Sequence, residues 1–542
     1  MSTVFILLVF NIVSVSFSSS SEDYMLFMRL KEHGDLKAGL ELIEGYPGSP
    51  FWSDAHVLLG KLLLERDREA AKRIVGELEL ERVSEEYASD AARLWLELGF
   101  DIKPLVLRFP EEVPDLIKLV DLDFTERRKV LRKLMARRMY KKVVENAGDD
   151  CLLKSQALLR LSEKLKAERI LRGCTDPLAS IYLMLVYLRE GKYREALDVA
   201  NVDGGHAMYL RLGRYKLANG EPLEALRLFK RAGAGFEALF MAGVASYALG
   251  RYRQAYEYFS EAWHVSASKD KRIRATFWKA KSLIDMGERR LGEELLRSAT
   301  YGRGFFSTVS KIYFGEAICD GYAEQGYVDT NFMERVIIMN AMGFRHYARL
   351  EIFQRAHTLR ENEIIALKSV DAYASIKVAL RVSGANSALY LKTAYPVPYH
   401  KIVSDVSGRF SVEESLIYAV MRQESLFNER ALSPSGASGL MQIIKPTAIW
   451  ISEAGNIPLD SIFDLDTNIS MGAYYLKYLE TLWEGDLLRV LASYNAGPGA
   501  VKRWFRYYDD FLFIESIPYA ETRKYVRKVL DNYFKYSCML SN

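Results

Sequence analysis

Glu424 combines a titratable carboxyl group with apolar surroundings, which suits acid–base chemistry. It shares one face of a helical pattern with Ile417, Val420, Met421 and Phe427, at spacings of three, one, three and three residues. Because burial disfavours the charged form of a carboxyl group, this placement predicts a pKa above the ordinary value of about 4.3, toward the ~6–7 that a general acid needs near neutral pH. A solvated carboxylate at a fraying helix end stays open as the alternative.

Polar residues that could contact a substrate follow this carboxyl along the chain. Residues 433–439 form a loop rich in serine and glycine, whose hydroxyls and amides could hydrogen-bond polar groups. Gln442 then carries a side-chain amide that can both donate and accept. Farther on, Asp486 is predicted to cap a helix that leaves Tyr494 and Asn495 at its end. An aromatic hydroxyl beside an amide suits a sugar ring, although a packed tyrosine would explain the same pattern.

A helix must position the carboxyl, and the sequence marks where that helix starts. Ser411 and Glu414 have the spacing of a capping box, which predicts a helix from about Val412. Just before it, residues 395–399 read Tyr-Pro-Val-Pro-Tyr, and the two prolines interrupt any helix because they lack backbone donors and constrain their predecessors. We therefore place a domain boundary there and assign residues 395–542 to one C-terminal domain.

The long N-terminal part repeats a helix, a glycine and a second helix. Gly191, Gly220 and Gly250 lie 29 and 30 residues apart, close to the period of helix-turn-helix repeats. A glycine can adopt positive φ and end one helix, so that each hairpin buries an apolar face against the next. Residues 21–330 are thus predicted to form an α-superhelix of helical hairpins, and residues 331–394 a helical linker domain without the repeat.

Residues 1–20 have the features of an export signal. The run from Val4 to Val15 is apolar except for Asn11 and Ser14, is too short to span a bilayer, and is followed by small serines. An uncleaved anchor stays open, because no Lys or Arg precedes the run. No later stretch has 18 uncharged apolar residues in a row, so we expect no stable membrane insertion. The mature protein is expected in the periplasm.

Charge and metal-ligating residues exclude other classes of protein. A net charge of +4 with 27% charged residues is too even a balance for a nucleic-acid-binding protein. The four cysteines are too far apart for a metal knuckle, and the seven histidines form no HExxH or His/Cys cluster. The sequence predicts neither a metal nor another cofactor, and it does not establish how the cysteines pair.

Four short motifs together resemble the bacterial soluble lytic transglycosylases. The motifs are Glu424–Ser425, Gly439–Gln442, Ser493–Pro498 and Ile517–Val526. They occur in that family's order, and residues 395–399 are similar to the entry of its catalytic domain. The close resemblance covers residues 395–536, where each motif alone is weak and the set of four is highly specific. The N-terminal helical body is similar in kind only.

This resemblance implies a mostly α-helical chain in which an N-terminal superhelix precedes a lysozyme-like α+β catalytic domain. It also implies cleavage of the β-1,4 bond between N-acetylmuramic acid and N-acetylglucosamine in peptidoglycan strands. Enzymes of the family use one carboxyl group, here Glu424, which first protonates the glycosidic oxygen. The carboxylate then accepts the proton of the muramic acid C6 hydroxyl as that oxygen attacks C1, which leaves a 1,6-anhydro end.

Position by position, the resemblance implies roles for further residues. Ser433 is similar to the serine that steadies the catalytic glutamate and the N-acetyl group. Gln442 and Tyr494 are similar to residues around the scissile bond. Asn495 is similar to a residue that holds the site in shape, and Glu521 to a second acidic residue that contacts the sugar.

Two residues depart from the family's pattern. Ile444 stands where a methionine that lines the cleft is expected, and Ser493 replaces the commoner alanine before the tyrosine. Both are tolerable in size, and Ile444 is kept as a substrate-binding candidate. The preference of the site for particular sugars or peptide stems stays open.

Two other functions also stay open. A hydrolytic muramidase would use water in place of the C6 hydroxyl and needs a second carboxylate about 5–9 Å away, for which Asp464, Asp466 and Glu521 are candidates. A non-catalytic peptidoglycan-binding scaffold would bind protein partners through the helical repeats and grip glycan with the C-terminal domain. The presence of Glu424 among polar loop residues argues against the scaffold.

Overall fold

The protein is represented by a computed structural model. It describes residues 22–203, 205–319, 331–384, 387–433 and 436–541. The predicted signal peptide at residues 1–20 lies outside the described residues. Among the described residues, no helix is both long enough and apolar enough to cross a bilayer.

The described chain is almost entirely helical. Its first helices are α1 (Glu22–His33), α2 (Leu36–Gly45), α3 (Trp52–Leu63), α4 (Arg68–Gly76), α5 (Glu85–Leu98), α6 (Lys103–Arg108), α7 (Phe124–Ala136), α8 (Tyr140–Asn146) and α9 (Cys151–Arg160), with short 3-10 turns at Leu80–Arg82 and Leu116–Leu119. The next are α10 (Lys164–Arg172), α11 (Ala179–Arg189), α12 (Tyr193–Asp203), α13 (His206–Ala218), α14 (Pro222–Arg231), α15 (Phe236–Ala248), α16 (Tyr252–Val265), α17 (Lys269–Asp285), α18 (Arg289–Ala299) and α19 (Phe305–Tyr313). Five helices follow, α20 (Asn331–Ala341), α21 (Arg345–Gln354), α22 (Glu361–Val370), α23 (Ala372–Ser383) and α24 (Ala388–Thr393).

The C-terminal part adds eight helices and two strands. In chain order these are α25 (His400–Phe410), α26 (Glu414–Ser425), β1 (Ala437–Ser438), β2 (Ile443–Ile444), α27 (Lys445–Gly455), α28 (Leu465–Leu482), α29 (Leu487–Ala496), α30 (Pro498–Val501), α31 (Asp510–Ser516) and α32 (Ala520–Leu540). The chain divides into two compact units, drawn from residues 1–163 with 325–396 and from residues 164–324 with 397–542. The domain limits predicted from the sequence stay predictions.

The first unit has its own apolar core, to which distant parts of the chain contribute. The rings of Phe27 and Phe51 stack with centroids 4.8 Å apart, and the ring of Tyr347 lies 4.4 Å from that of Phe51. Beside them, Arg335 pairs with Asp23 at 2.9 Å. Helices α20 and α21 therefore share one core with α1 and the start of α3.

The predicted helical hairpins are confirmed in the second unit, from α11 to α16. Gly191, Gly220 and Gly250 each separate the two helices of a hairpin, with φ of +74°, +78° and +71°. In this left-handed conformation a residue with a Cβ costs roughly 1–2 kcal/mol, so glycine is favoured. Ala225 and Ala255, in the second helix of their hairpins, are fully buried, which is consistent with close approach of neighbouring helices.

The C-terminal part of the second unit is a helical bundle around α26 and α32. Arg422 donates to the Asn532 side-chain oxygen at 3.1 Å, and Asn532 donates to the Ala419 carbonyl at 3.3 Å. A disulfide between Cys319 and Cys538 ties α32 to the end of the helical repeats. The long α32 is thus fixed on both the bundle side and the repeat side.

A small antiparallel sheet lies between α26 and α27. Ala437 pairs with Ile444, and Ser438 pairs with Ile443. With two residues in each strand, the sheet is too short to be stable alone. Its turn, residues 439–442, is instead held by packing on α28.

The predicted start of the helix that carries the carboxyl is wrong. Ser411 has φ of +52° and ends α25, whereas α26 begins at Glu414 with Glu413 as its N-cap residue. A capping box needs an extended backbone at the serine, and the left-handed conformation of Ser411 excludes it. The Ser415 hydroxyl donates to the Glu413 carboxylate at 3.2 Å instead.

Candidate active site

Glu424 lies in the last turn of α26, on the face that packs into the bundle. The predicted apolar stripe is confirmed, because Ile417, Val420 and Met421 are fully buried and Phe427 is 1% exposed. Glu424 itself stays partly exposed. Its carboxyl group therefore lies at the boundary between the core and solvent, where a substrate can reach it.

The chain turns sharply directly after Glu424. Leu426 and Phe427 both adopt positive φ, +51° and +67°, which costs roughly 1–2 kcal/mol for each residue with a Cβ. This cost is offset by burial of the Phe427 ring and by a hydrogen bond from the Phe427 N–H to the Ser425 hydroxyl at 3.1 Å. This turn ends the helix one residue after the carboxyl and directs the chain into the following loop.

Burial raises the pKa of Glu424 to about 7. The Tyr525 hydroxyl acts in the opposite direction and lowers this pKa, whereas the negative charge of Glu521 raises it further. The direction agrees with the shift predicted from the sequence. A carboxyl group with such a pKa is about half protonated at neutral pH, so it can donate a proton in one step and accept one in the next.

Two tyrosine hydroxyls interact with this carboxyl. Burial raises the pKa of both Tyr494 and Tyr525 well above the usual value, and the charge of Glu424 adds to both shifts. Tyr494 donates its hydroxyl to the Met441 carbonyl at 2.9 Å. Tyr525 is buried and comes from α32, so residues of three helices meet at the carboxyl.

Asn468 of α28 fixes the turn at residues 439–442. Its buried side chain accepts from the Met441 N–H at 2.8 Å and donates to the Ser438 carbonyl at 3.0 Å. Gly439 has φ of +77°, and a Cβ there would lie 2.4 Å from the Asn468 amide nitrogen. The turn therefore requires a glycine at position 439, and this glycine packs against Asn468 of α28.

Ser433 and Gln442, both predicted to bind substrate, also hold this loop together. The Ser433 hydroxyl oxygen accepts from the Ala437 N–H at 2.9 Å. The Gln442 amide donates to the carbonyls of Ala431 and Gly439 at 3.0 and 2.8 Å. Both side chains stay partly exposed. Residues 434 and 435 of the predicted loop lie outside the described residues.

The end of α29 presents Tyr494 and Asn495, as its capping residue predicted. The Asp486 side chain accepts from a backbone N–H in the first turn, and the helix ends at Ala496. The Asn495 side-chain oxygen accepts from the Thr522 hydroxyl at 2.6 Å. This bond joins α29 to the first turn of α32.

The remaining predicted residues lie at the edge of the site. Glu521 is exposed in the first turn of α32, and its charge acts on Glu424. Ile444 ends β2, immediately before α27, and is partly exposed. The structure thus couples Tyr494 and Glu521 to Glu424 directly. The other four predicted residues lie in the neighbouring loop, helix end and strand, namely Ser433, Gln442, Asn495 and Ile444.

Tyr525 and Asn468 are residues of the site that the sequence analysis did not single out. Tyr525 belongs to the last of the four motifs, but a tyrosine on a helix gives no sign that it faces a carboxyl group far away in the sequence. No local pattern marks Asn468 either, because its bonds join it to Met441 and Ser438, which lie 27 and 30 residues away in the sequence. Among the described residues, no group of three or more His, Cys, Asp or Glu is placed to hold a metal ion.

The part of the chain that contains Glu424 is similar to known proteins. Residues 402–517 match the Transglycosylase SLT domain family. The soluble lytic murein transglycosylase of Escherichia coli K12 is 29% identical over 279 residues, which are 48% of this chain and 43% of that protein. The chain therefore matches less than half the length of this relative.

Solved structures are similar over nearly the whole chain. The 70-kDa soluble lytic transglycosylase Slt70 of Escherichia coli superposes with a TM-score of 0.63 at 17% identity, over 96% of this chain and 92% of that one. An inactive mutant of lytic transglycosylase Slt from Pseudomonas aeruginosa gives a TM-score of 0.57 at 20% identity, with the same coverage of 96% and 92%. These matches confirm the predicted fold class. The chain is thus similar in sequence and in fold to soluble lytic transglycosylases, and its residues 402–517 match the Transglycosylase SLT domain.

Proposed function

We propose that this chain is a lytic transglycosylase that cleaves the β-1,4 bond between N-acetylmuramic acid and N-acetylglucosamine in peptidoglycan and leaves 1,6-anhydromuramic acid ends. One observation carries the proposal: burial raises the pKa of Glu424 to about 7 inside a segment that matches the Transglycosylase SLT domain family. A group that is half protonated at neutral pH can act first as an acid and then as a base.

In the first step, Glu424 donates its proton to the glycosidic oxygen while the bond from that oxygen to C1 of the muramic acid breaks. The leaving sugar departs as a neutral alcohol, and Glu424 becomes a carboxylate. The N-acetyl group of the same muramic acid stabilises the positive charge that develops at C1. A second protein carboxylate is not required for this purpose.

In the second step, the C6 hydroxyl oxygen of the muramic acid forms a bond to C1 and gives its proton to the Glu424 carboxylate. The anhydro ring closes, and the proton returns the enzyme to its starting state. Tyr525, whose hydroxyl lowers the pKa of Glu424, stabilises the carboxylate between the two steps. No water molecule is consumed in either step.

Six residues are the proposed contacts to the glycan strand: Ser433, Gln442, Ile444, Tyr494, Asn495 and Glu521. The hydroxyl of Tyr494 already donates to the Met441 carbonyl, so its ring is the part available to a sugar. Gln442 uses its two amide hydrogens within the loop, so its carbonyl oxygen is the atom proposed to accept from substrate. The Asn495 side-chain oxygen accepts from Thr522, which keeps the helix end in place, so its N–H₂ group is the part proposed to donate to the glycan.

A hydrolytic muramidase is the second candidate, and it is favoured by the presence of a second carboxylate, Glu521, whose charge acts on Glu424. Of the three carboxylates considered from the sequence, Glu521 is the one whose charge acts on Glu424. Asp464 is occupied as the N-cap of α28, where it accepts from the Thr467 N–H at 2.9 Å. The mass of the product separates the two reactions, since an anhydro end is one water lighter than a reducing end.

The periplasm is the proposed location, with peptidoglycan strands as the binding partner. The disulfide between Cys319 and Cys538 supports export, because disulfides persist in oxidising compartments. Release of the protein from cells by osmotic shock tests the location. Retention with the cytoplasmic fraction would contradict it.

The loss of activity in Glu424→Gln tests the proposed chemistry. The variant keeps the size of the side chain and removes the proton, so release of fragments from purified sacculi is expected to fall by at least ~10²–10⁴-fold while glycan binding is retained. Glu453→Gln is the matched control, because Glu453 is an exposed glutamate of the neighbouring α27. Equal activity of the two variants would exclude Glu424 as the acid.

A further inference from the structure

Helix α7 and the residues beside it carry a strong local excess of positive charge. Residues 118–142 contain ten Lys or Arg and three Asp or Glu, which gives this segment a net charge of +7, whereas the whole chain has a net charge of +4. The rest of the chain is therefore slightly acidic. All of these residues belong to the first unit.

The positive side chains of α7 lie on the face opposite its buried stripe. Val130, Leu131 and Leu134 are fully buried and belong to the core of the first unit. The opposite face lines a surface groove of about 630 Å³, at spacings of one, three and four residues that keep its side chains on one side of the helix. The groove is lined by Phe124, Thr125, Arg128, Lys129, Arg132 and Lys133. Four of these six side chains are cationic.

Two of the four cations are available to a ligand. Arg128 pairs with Asp150 at 3.3 Å, and the Lys133 ammonium group donates to two backbone carbonyls at the end of α6. Lys129 and Arg132, in contrast, are exposed and form no ion pair with any of the described residues. Their charges therefore face solvent from the same groove.

The acidic side chains of this segment do not neutralise these two cations. Asp123 and Glu126 form a capping box at the start of α7, in which each carboxylate accepts from the backbone N–H of the other residue. Glu126 also pairs with Lys103 at 2.7 Å, and the charge of the exposed Asp121 acts on Lys103 as well. The carboxylates thus interact with Lys103 at the start of the helix.

Two large apolar side chains border the cations and are exposed. Phe124 is 59% exposed and lines the same groove, with the Arg128 guanidinium group 5.7 Å from the centre of its ring. Leu119 is 62% exposed and lies five residues earlier, at the end of a 3-10 turn, which places it at most ~18 Å from Phe124. A soluble anion needs no apolar contact, whereas a lipid surface offers one beneath its charged headgroups.

We propose that this surface, defined by Leu119, Phe124, Lys129 and Arg132 and called the α7 patch, binds the surface of an anionic phospholipid bilayer. Lys129 and Arg132 contact lipid phosphates, while Phe124 and Leu119 enter the boundary between headgroups and acyl chains. Such binding is reversible and differs from insertion, in which a helix crosses the bilayer. The α7 patch contains no residue of the candidate active site, so this proposal does not depend on the proposed function.

Co-sedimentation of the full chain with lipid vesicles tests the proposal without any variant. One set of vesicles contains equal parts of phosphatidylglycerol and phosphatidylcholine, and the other contains phosphatidylcholine alone. We expect binding to the anionic vesicles that weakens more than about tenfold as sodium chloride rises from about 0.01 to about 0.1 M, since the Debye length falls from about 30 to about 10 Å. Equal binding to the two sets of vesicles would overturn the proposal.

A double variant tests whether the α7 patch is the part of the chain that binds. Each Lys or Arg near an anionic membrane strengthens binding roughly fivefold, so Lys129→Gln with Arg132→Gln is expected to bind the anionic vesicles roughly 30-fold more weakly. Lys72→Gln with Arg73→Gln is the matched control, because these are two exposed cations of α4 in the same unit. An equal loss in both double variants would show that total charge drives binding and would overturn the proposal.

Phe124→Ala distinguishes a bilayer from a soluble polyanion. Its binding to the anionic vesicles is expected to be roughly tenfold weaker than that of the wild-type protein, because the ring no longer enters the interface. Its affinity for inorganic polyphosphate, measured by calorimetry, is expected to be unchanged. Leu96→Ala, at an exposed leucine of α5, is the control and should retain vesicle binding. If Phe124→Ala bound vesicles as tightly as the wild-type protein, the patch would bind polyanions through charge alone, and the bilayer would be excluded as its specific partner.

Discussion

The pKa of Glu424 is set by burial and adjusted in opposite directions by two neighbouring side chains. Burial supplies the main upward shift of its pKa, the charge of Glu521 adds to it, and the Tyr525 hydroxyl lowers it. Because each neighbour can be changed by removal of a single charge or hydroxyl, the two effects can be measured separately. The catalytic role is therefore testable through pH dependence as well as through loss of activity.

The alkaline side of the pH profile is expected to move in opposite directions in two variants. Activity requires protonated Glu424, so kcat/KM should fall as pH rises through about 7. Tyr525→Phe removes the group that lowers the pKa and should move this fall to higher pH. Glu521→Gln removes the charge that raises the pKa and should move it to lower pH. Shifts in the same direction, or none, would contradict the assignment of Glu424 as the acid.

The raised pKa of Glu424 should also make the stability of the protein depend on pH. The folded-state pKa of Glu424 lies near 7, above its value of 4.5 in the unfolded chain, so its protonation favours the folded state below pH 4.5 and this contribution is lost as pH rises to about 7. Glu424→Gln does not titrate, and at pH 8 it should be more stable than the wild-type protein by about 1–3 kcal/mol. Urea unfolding at pH 4.5 and 8 measures the difference, with Glu453→Gln as control. A gain that is the same at both pH values would argue against a partly buried carboxyl with a raised pKa.

The sequence predicts the position of Glu424 but not its neighbours, for a physical reason. The stripe from Ile417 to Phe427 is local, so helical spacing alone identifies the buried face. Tyr525 reaches the carboxyl from another helix, and no local spacing encodes that contact. The structural role of Gln442 cannot be predicted from local spacing either, because its hydrogen bonds to the Ala431 and Gly439 carbonyls depend on the fold of the loop.

At the scale of elements, the turn at residues 439–442 depends on a single amide. Asn468→Ala removes bonds to the Met441 N–H and to the carbonyls of Ser438 and Ile462, and it leaves the buried groups of Met441 and Ser438 without this partner. The expected loss of stability is roughly 2–4 kcal/mol, with a loss of activity. Thr481→Ala, at the exposed far end of α28, should change stability by less than about 0.5 kcal/mol. Chemical unfolding of both variants checks this, and similar values for the two would show that Asn468 does not anchor the turn.

The sequence predicts several helix ends correctly and one incorrectly. The glycines of the hairpins and the Asp486 cap depend on local backbone chemistry, and both predictions are confirmed. The capping box at Ser411 is wrong because this serine ends the preceding helix with positive φ. Ser411 lies between two helices, α25 and α26, and local spacing does not show which of them it belongs to.

At the scale of the molecule, the second unit is joined by charges that are far apart in the sequence. Arg274 of the repeats and Glu515 of α31 are separated by 241 residues, a pairing that no sequence pattern reveals. Tyr507 adds a bond from its hydroxyl to the Leu217 carbonyl at 2.7 Å. The helical repeats in this unit therefore serve as part of the support for α31 and α32.

Glu515→Gln is expected to weaken that support strongly. The substitution leaves buried arginines without their counter-charge and should cost about 3–5 kcal/mol at neutral pH. In the wild-type protein the pKa of Glu515 is lowered to about 2, so its contribution is present above the unfolded value of about 4.5 and is lost as pH falls toward 2. Glu293→Gln, in an exposed pair with Arg289, is the control and should change stability little, because solvent screens exposed pairs. Equal costs for the two variants, measured by chemical unfolding, would show that the buried cluster does not hold the unit together.

The most direct test of the central claim is the mass of the fragments that the purified protein releases from sacculi in water enriched in oxygen-18. If Glu424 alone transfers the proton and the C6 hydroxyl attacks C1, the new muramic acid ends are one water lighter than reducing ends and contain no solvent oxygen. Reducing ends that carry oxygen-18 would contradict the account, because water would then be the nucleophile.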